Sequence, residues 1–138
     1  MPFFCRARAT MDYPMRFLKS KTAALITFPF SGGQPRKGVE DGPEAMLRAG
    51  LRSQLEELGW KVDVDQSMNW DEINQILAED KDIDTMKNPR SVSKASEQLA
   101  GVIEKHAKAG ELPVTLGGDH SLGTGSMIGV NRVYPDAA

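Results

Sequence analysis

One cysteine, Cys5, is present in 138 residues, so no disulfide can form within the chain. That excludes the disulfide-stapled scaffolds of small secreted domains and agrees with a reducing compartment. No apolar run approaches the length of a membrane span, and residues 1–20 lack the uninterrupted apolar centre of a secretory signal. Net charge is scarce as well. Seventeen basic and nineteen acidic side chains leave −2, too weak a field to draw in nucleic acid or an anionic membrane surface. Neither is expected as a partner. What is present is ordinary: 40% apolar and 26% charged residues, at about the modal size of one domain with one core.

The amino terminus stands apart. Arg6, Arg8, Arg16, Lys19 and Lys21 face a single acid, Asp12, with no hydrophobic period. A mitochondrial transit peptide has that bias, but Pro14 and the paucity of serine count against it. Residues 1–20 are expected to be a disordered extension, and residues 21–138 the folded part.

From Ala23 to Phe28 the chain is apolar except for Thr27 and ends at Pro29, the pattern of a strand buried on both faces. The loop that follows is glycine-rich, and Gly33 to Gly38 has the step of a phosphate loop. Val39-Glu40 stands where that motif needs Lys-Ser or Lys-Thr, so no nucleotide site is expected there. Pro43 opens a helix whose stripe is Leu47, Leu51, Leu55 and Leu58, stopping at Gly59. Trp60 to Val64 alternates as an edge strand does. Asp65 to Lys87 is acidic, with Ile73, Ile76 and Leu77 its only helical hint, and lacks the spacing of a calcium loop. It reads as a solvated excursion. Asn88-Pro89 is the cap and first turn of a helix with Val92, Ala95, Leu99, Val102, Ile103 and His106 on one face, ending at Gly110. His106 belongs to that face, as a partly buried or dipole-facing group.

The stretch Leu112-Pro113-Val114-Thr115-Leu116-Gly117-Gly118-Asp119-His120-Ser121 organises the rest. An apolar strand exits through two glycines into three polar side chains, at the position where open α/β sheets bind ligands. Gly117 and Gly118 let the chain turn and bring Asp119 and His120 close to a bound group. A neutral imidazole there suits a divalent metal, with a neighbouring carboxylate able to orient it. One more helix follows Leu122, weakened by Gly123, Gly125 and Gly129. Strands alternating with helices imply an α/β fold with a parallel sheet. Three strands are few for such a domain, and Tyr134-Pro135-Asp136-Ala137-Ala138 reads as a lead into another strand, so the chain is expected to be the front part of something larger.

Several segments together resemble the arginases, members of the ureohydrolase family, particularly the animal ones. They are Pro29-Phe30-Ser31-Gly32-Gly33-Gln34 with Gly38-Val39-Glu40 and Gly42-Pro43, then Lys87-Asn88-Pro89-Arg90-Ser91-Val92, Lys94-Ala95-Ser96-Glu97-Gln98-Leu99-Ala100, and Leu116-Gly117-Gly118-Asp119-His120-Ser121-Leu122. The resemblance implies a three-layer α/β/α fold with a central parallel sheet, here incomplete. It also implies two manganese ions at the strand ends of the complete protein, hydrolysing L-arginine to L-ornithine and urea, the urea-cycle reaction. His120 matches the family's first histidine metal ligand, and Asp119 the supporting position beside it. Of the remaining ligands that the resemblance implies, the Asp-x-His-x-Asp segment does not occur in this sequence, and the family's Asp-x-Asp segment lies much further on in relatives, as do the family's substrate-binding residues. The fragment alone is therefore expected to be inactive, and the complete protein to be a homo-oligomer, a trimer. The cytoplasm is the expected compartment, with the mitochondrion as the alternative.

Two other functions compete. A dinucleotide-binding module is suggested by Gly123, Gly125 and Gly129, but they begin too late after the strand and the last step is one residue too long. A non-catalytic binding or regulatory protein derived from an arginase fits the missing ligands.

Overall fold

Strand β1, Thr22–Phe28, is buried at every position because it lies in the middle of the sheet and is covered on both faces. The computed structural model describes residues 16–136. Residues 1–15, with Cys5 and most of the expected extension, and residues 137–138 lie outside them. β2, Lys61–Asp65, and β3, Leu112–Gly117, flank β1 in the order β2-β1-β3. Both pairings are parallel, from Thr22 opposite Lys61 to Ile26 opposite Asp65, and from Ala23 opposite Leu112 to Phe28 opposite Gly117.

Alternation along β1 splits the core in two. Leu25 joins Val62 and Leu116 on one face, beneath Leu47, Leu51 and Leu55. Ile26 and Phe28 point to the other, where they meet Phe30, Met68, Ile73, Ala95, Leu99 and Ile103. Helices on both faces of a parallel sheet make the three-layer α/β/α arrangement expected for the fold.

The first covering layer differs from expectation. One helix over residues 43–58 is replaced by α1, Gly42–Arg48, and α2, Leu51–Glu57. Gly50 sits between them at φ +90°, a left-handed conformation that breaks the ladder. Leu47, Leu51 and Leu55 keep their place over the sheet, whereas Leu58 lies past the end of α2 and is 67% exposed.

The acidic excursion is also not merely solvated. It contains α3, Trp70–Glu79, whose amino end is capped by the Asn69 side chain accepting from the Glu72 amide at 3.1 Å. Met68 and Ile73 are buried, and the Trp70 ring packs 5.5 Å from Phe28 and 6.4 Å from Phe30. Three apolar anchors outweigh the local acidity.

α4, Pro89–Ala109, follows its expected face, with Ala95, Leu99, Ile103 and His106 buried, and ends at Gly110 with φ +75°. Its cap is not the expected one. Asn88 turns its side chain elsewhere, and the Asp80 carboxylate accepts from the Ser91 amide at 2.7 Å and the Ser91 hydroxyl at 2.9 Å. His106 is 2% exposed and bridges two acids: Nε2 lies 2.9 Å from Asp65 Oδ2 and Nδ1 2.6 Å from Glu111 Oε2. Residues 16–20 run along this end of α4, where the Lys19 amide donates to Gly110 O at 2.8 Å. The Tyr134 hydroxyl closes the same corner, 2.8 Å from Ala107 O and 3.0 Å from Phe17 O.

α5, Leu122–Asn131, gives its glycines a packing role. A Cβ on Gly125 would lie 2.7 Å from Ser96 O, and one on Gly129 2.7 Å from Ala100 O and 2.8 Å from Ile103 Cβ. These two glycines let α5 settle directly on the backbone of α4, which explains them without a nucleotide. Gly123 faces open space. Gly123→Ala should therefore raise stability by about 0.5–1 kcal/mol, whereas Gly129→Ala should lower it by about 2 kcal/mol through overpacking. Urea denaturation of the two variants checks the pair, and equal midpoints would contradict the packing account.

Candidate metal centre

The site begins where β3 leaves the sheet. Gly118 continues the pairing with β1, its amide donating to Phe28 O at 3.3 Å and the Asp119 amide to Phe30 O at 2.9 Å. A Cβ on Gly118 would fall 2.2 Å from Phe30 O and 2.6 Å from Phe28 O. The glycine is needed for this close approach of backbones. At Gly117 the nearest atom to such a Cβ is Leu122 Cδ2, the movable tip of a side chain, at 1.9 Å.

Asp119 is 4% exposed and its carboxylate ties two strand-end loops together. Oδ2 accepts from the Gly33 amide at 2.7 Å, in the loop after β1. Oδ1 accepts from the Ser121 amide at 2.9 Å and from the Ser121 hydroxyl. The carboxylate thus fixes the main chain just after His120 and ties it to the loop after β1. His120 lies between these anchors with its side chain exposed at the carboxyl end of β3, and its carbonyl accepts from the Gly123 amide at 3.1 Å as α5 starts.

Across from Asp119, the Asn88 amide nitrogen donates to Gly32 O at 2.8 Å. The sequence held no signal for this contact, which joins residues 56 positions apart. Beside the loops, a cavity of about 610 Å³ opens between α4 and α5, touching Gly33, Lys87, Ser96, Ser121, Thr124 and Arg132. His120 does not line it.

His120 fits a metal as one ligand, being exposed on a loop that Asp119 ties to Gly33 and Ser121 and that its own carbonyl ties to Gly123. Among the described residues no group of three or more His, Cys, Asp or Glu side chains gathers to hold an ion; His120 is the exposed imidazole at this strand end. His106, locked between Asp65 and Glu111 within the core, is not available to one.

Parallel strands with polar loops gathered at their carboxyl ends define an α/β protein of the kind that binds its ligand above the sheet. The arginase family model matches residues 21–138, and the chain belongs to that family. It is 42% identical over 123 residues to the arginase of Eremothecium gossypii, covering 88% of this chain and 31% of that protein. Arginase-1 of Homo sapiens is 46% identical over 118 residues, covering 86% of this chain and 35% of that one. The crystal structure of arginase from Bacillus cereus superimposes with a TM-score of 0.67 at 29% identity, over 80% of this chain and 35% of that one. The chain thus spans about a third of the length of the curated relatives it matches. No helix among the described residues is long and apolar enough to cross a membrane.

Proposed function

We propose that this chain forms the strand-end portion of an arginase-type hydrolase which, as a complete protein, uses manganese to convert L-arginine to L-ornithine and urea. The observation that carries this reading is the placement of His120, an exposed imidazole at the carboxyl end of β3 in a chain of the arginase family. His120 would hold one ion through a ring nitrogen. Manganese, when bound, lowers the pKa of water and stabilises charge as water adds to the guanidinium carbon. Gly118 brings the loop against the end of β1, and Asp119 ties the chain after the ligand, at Ser121, to the loop at Gly33. A homotrimer and a cytoplasmic setting go with this reading, with the mitochondrion as the alternative suggested by the basic residues before Thr22.

One imidazole does not complete a manganese shell, so the 138-residue chain with added manganese should release no urea from L-arginine above a His120→Ala control. Release above that control would overturn the assignment. Joined to the carboxyl-terminal two-thirds of an arginase such as that of Eremothecium gossypii, the chain should give manganese-dependent turnover. His120→Ala should then lower both metal content and rate, and unchanged metal content by elemental analysis would remove His120 from the centre. A second reading is a non-catalytic binding or regulatory protein derived from an arginase, with which the lack of a gathered group of three or more His, Cys, Asp or Glu among the described residues is consistent. Its mark would be a fused protein that binds L-arginine without hydrolysing it.

A further inference from the structure

Asn88 occupies a left-handed conformation, φ 42° and ψ 55°, that few residues other than glycine adopt. The position does not use its side chain as a helix cap, since Asp80 performs that task on Ser91. Its backbone is anchored separately, the Asn88 amide donating to Asp82 Oδ1 at 3.2 Å. The side chain is thereby left to reach across to Gly32 O at 2.8 Å.

The carbonyl of Gly32 and the amide of Gly33 belong to one peptide group. Asn88 grips that group by its oxygen, and Asp119 grips it by its N–H at 2.7 Å. A donor on the carbonyl polarises the peptide and strengthens the N–H as a donor to the carboxylate. Space around the pair is tight: a Cβ at Gly32 would lie 2.4 Å from the Phe30 ring, and one at Gly33 3.1 Å from Asp119 Oδ2. The peptide is therefore held from both ends, by Asn88 and by Asp119. From Asp119 the contact passes to the Ser121 amide, beyond His120.

We infer that Asn88 is a positioning residue for His120, acting through the Gly32–Gly33 peptide and the Asp119 carboxylate. The loop after β2 and α3 would in this way set the direction of a side chain at the end of β3. The inference rests on the reading of His120 as a metal ligand, but its first measurement does not require metal.

Asn88→Gly keeps the left-handed backbone and removes only the amide, so it separates positioning from folding. In the 138-residue chain its thermal midpoint should stay near that of the parent. Exchange of the Gly33 amide, followed by NMR, should accelerate by about tenfold, the worth of one lost hydrogen bond, and the His120 ring signals should shift. Asn88→Asp, which keeps the shape but presents a carboxylate to the Gly32 carbonyl, should do the same. Unchanged Gly33 exchange and His120 signals in both variants would overturn the inference. So would a loss of the fold in both, because Asn88 would then be structural only. The reading of His120 as a ligand fails on a different result, unchanged manganese content in the fused His120→Ala protein, which leaves the Gly33 measurement intact.

Discussion

Replacing Gly118 by alanine should cost about 3 kcal/mol or more, because the added methyl has no direction in which to yield. Its nearest neighbours would be Phe30 O at 2.2 Å, Phe28 O at 2.6 Å and Phe30 N at 2.9 Å, all backbone. Accommodating it means separating the end of β3 from the end of β1 and breaking the two hydrogen bonds that continue their pairing. Gly118 does not have a positive φ, so the penalty is steric alone. Gly117→Ala should be milder, since Leu122 can rotate its tip away. Denaturant midpoints of the two variants, with exchange of the Asp119 amide as a local reporter, test this. A Gly118→Ala protein as stable as Gly117→Ala would refute the close-approach account of the strand exit.

His106→Ala should be comparably severe, at about 3 kcal/mol, because it leaves the buried Asp65 carboxylate and its neighbour Glu111 without the ring that joins them. The contrast is with His120→Ala, exposed at the site, which should change stability by no more than about 0.5 kcal/mol. The same cluster predicts an acid limb of stability. Burial works to raise the Asp65 carboxyl, but the Ser67 hydroxyl, Lys105, the Ser67 amide and His106 hold it well below the usual carboxylate range. A carboxyl depressed by folding stabilises the native state above its unfolded value, 3.8, and loses that contribution progressively as the pH falls below it. Asp65→Asn should therefore lower stability at neutral pH and flatten its decline below pH about 4. A variant whose acid limb matches the parent's would show that Asp65 carries none of the dependence.

Features governed by local chemistry were legible in the sequence. The apolar run at Ala23 to Phe28, the strand ending at Gly117, and the stripe from Val92 to His106 each carry their own period, and each formed where that period placed it. What was not legible depends on partners distant in the chain. α3 reads as an acidic loop until Phe28 and Phe30 supply a surface for Trp70 and Ile73. Gly125 and Gly129 read as helix weaknesses until Ser96 and Ala100 press against them. Gly50 is the reverse case, a local signal masked by a leucine stripe that continues across the break. At the site, His120 at the strand end followed from the Gly-Gly exit, but the attachment of Asp119 to Gly33 joins residues 86 positions apart, and no spacing announces it.

The register of the sheet sets a timetable for its assembly. β1 is the first strand made and the central one, yet its neighbour β3 begins at Leu112, 89 positions after its partner Ala23. At about 5–20 residues per second during synthesis, Leu25, Ile26 and Phe28 wait roughly 4–18 s beside the ribosome for the strand that completes their pairing. β2 arrives earlier and can occupy one edge, but the α4 face that covers Ile26 and Phe28 is made immediately before β3 itself. The most apolar segment of the chain is thus the one kept uncovered longest, which makes it a natural target for a chaperone acting on the nascent protein.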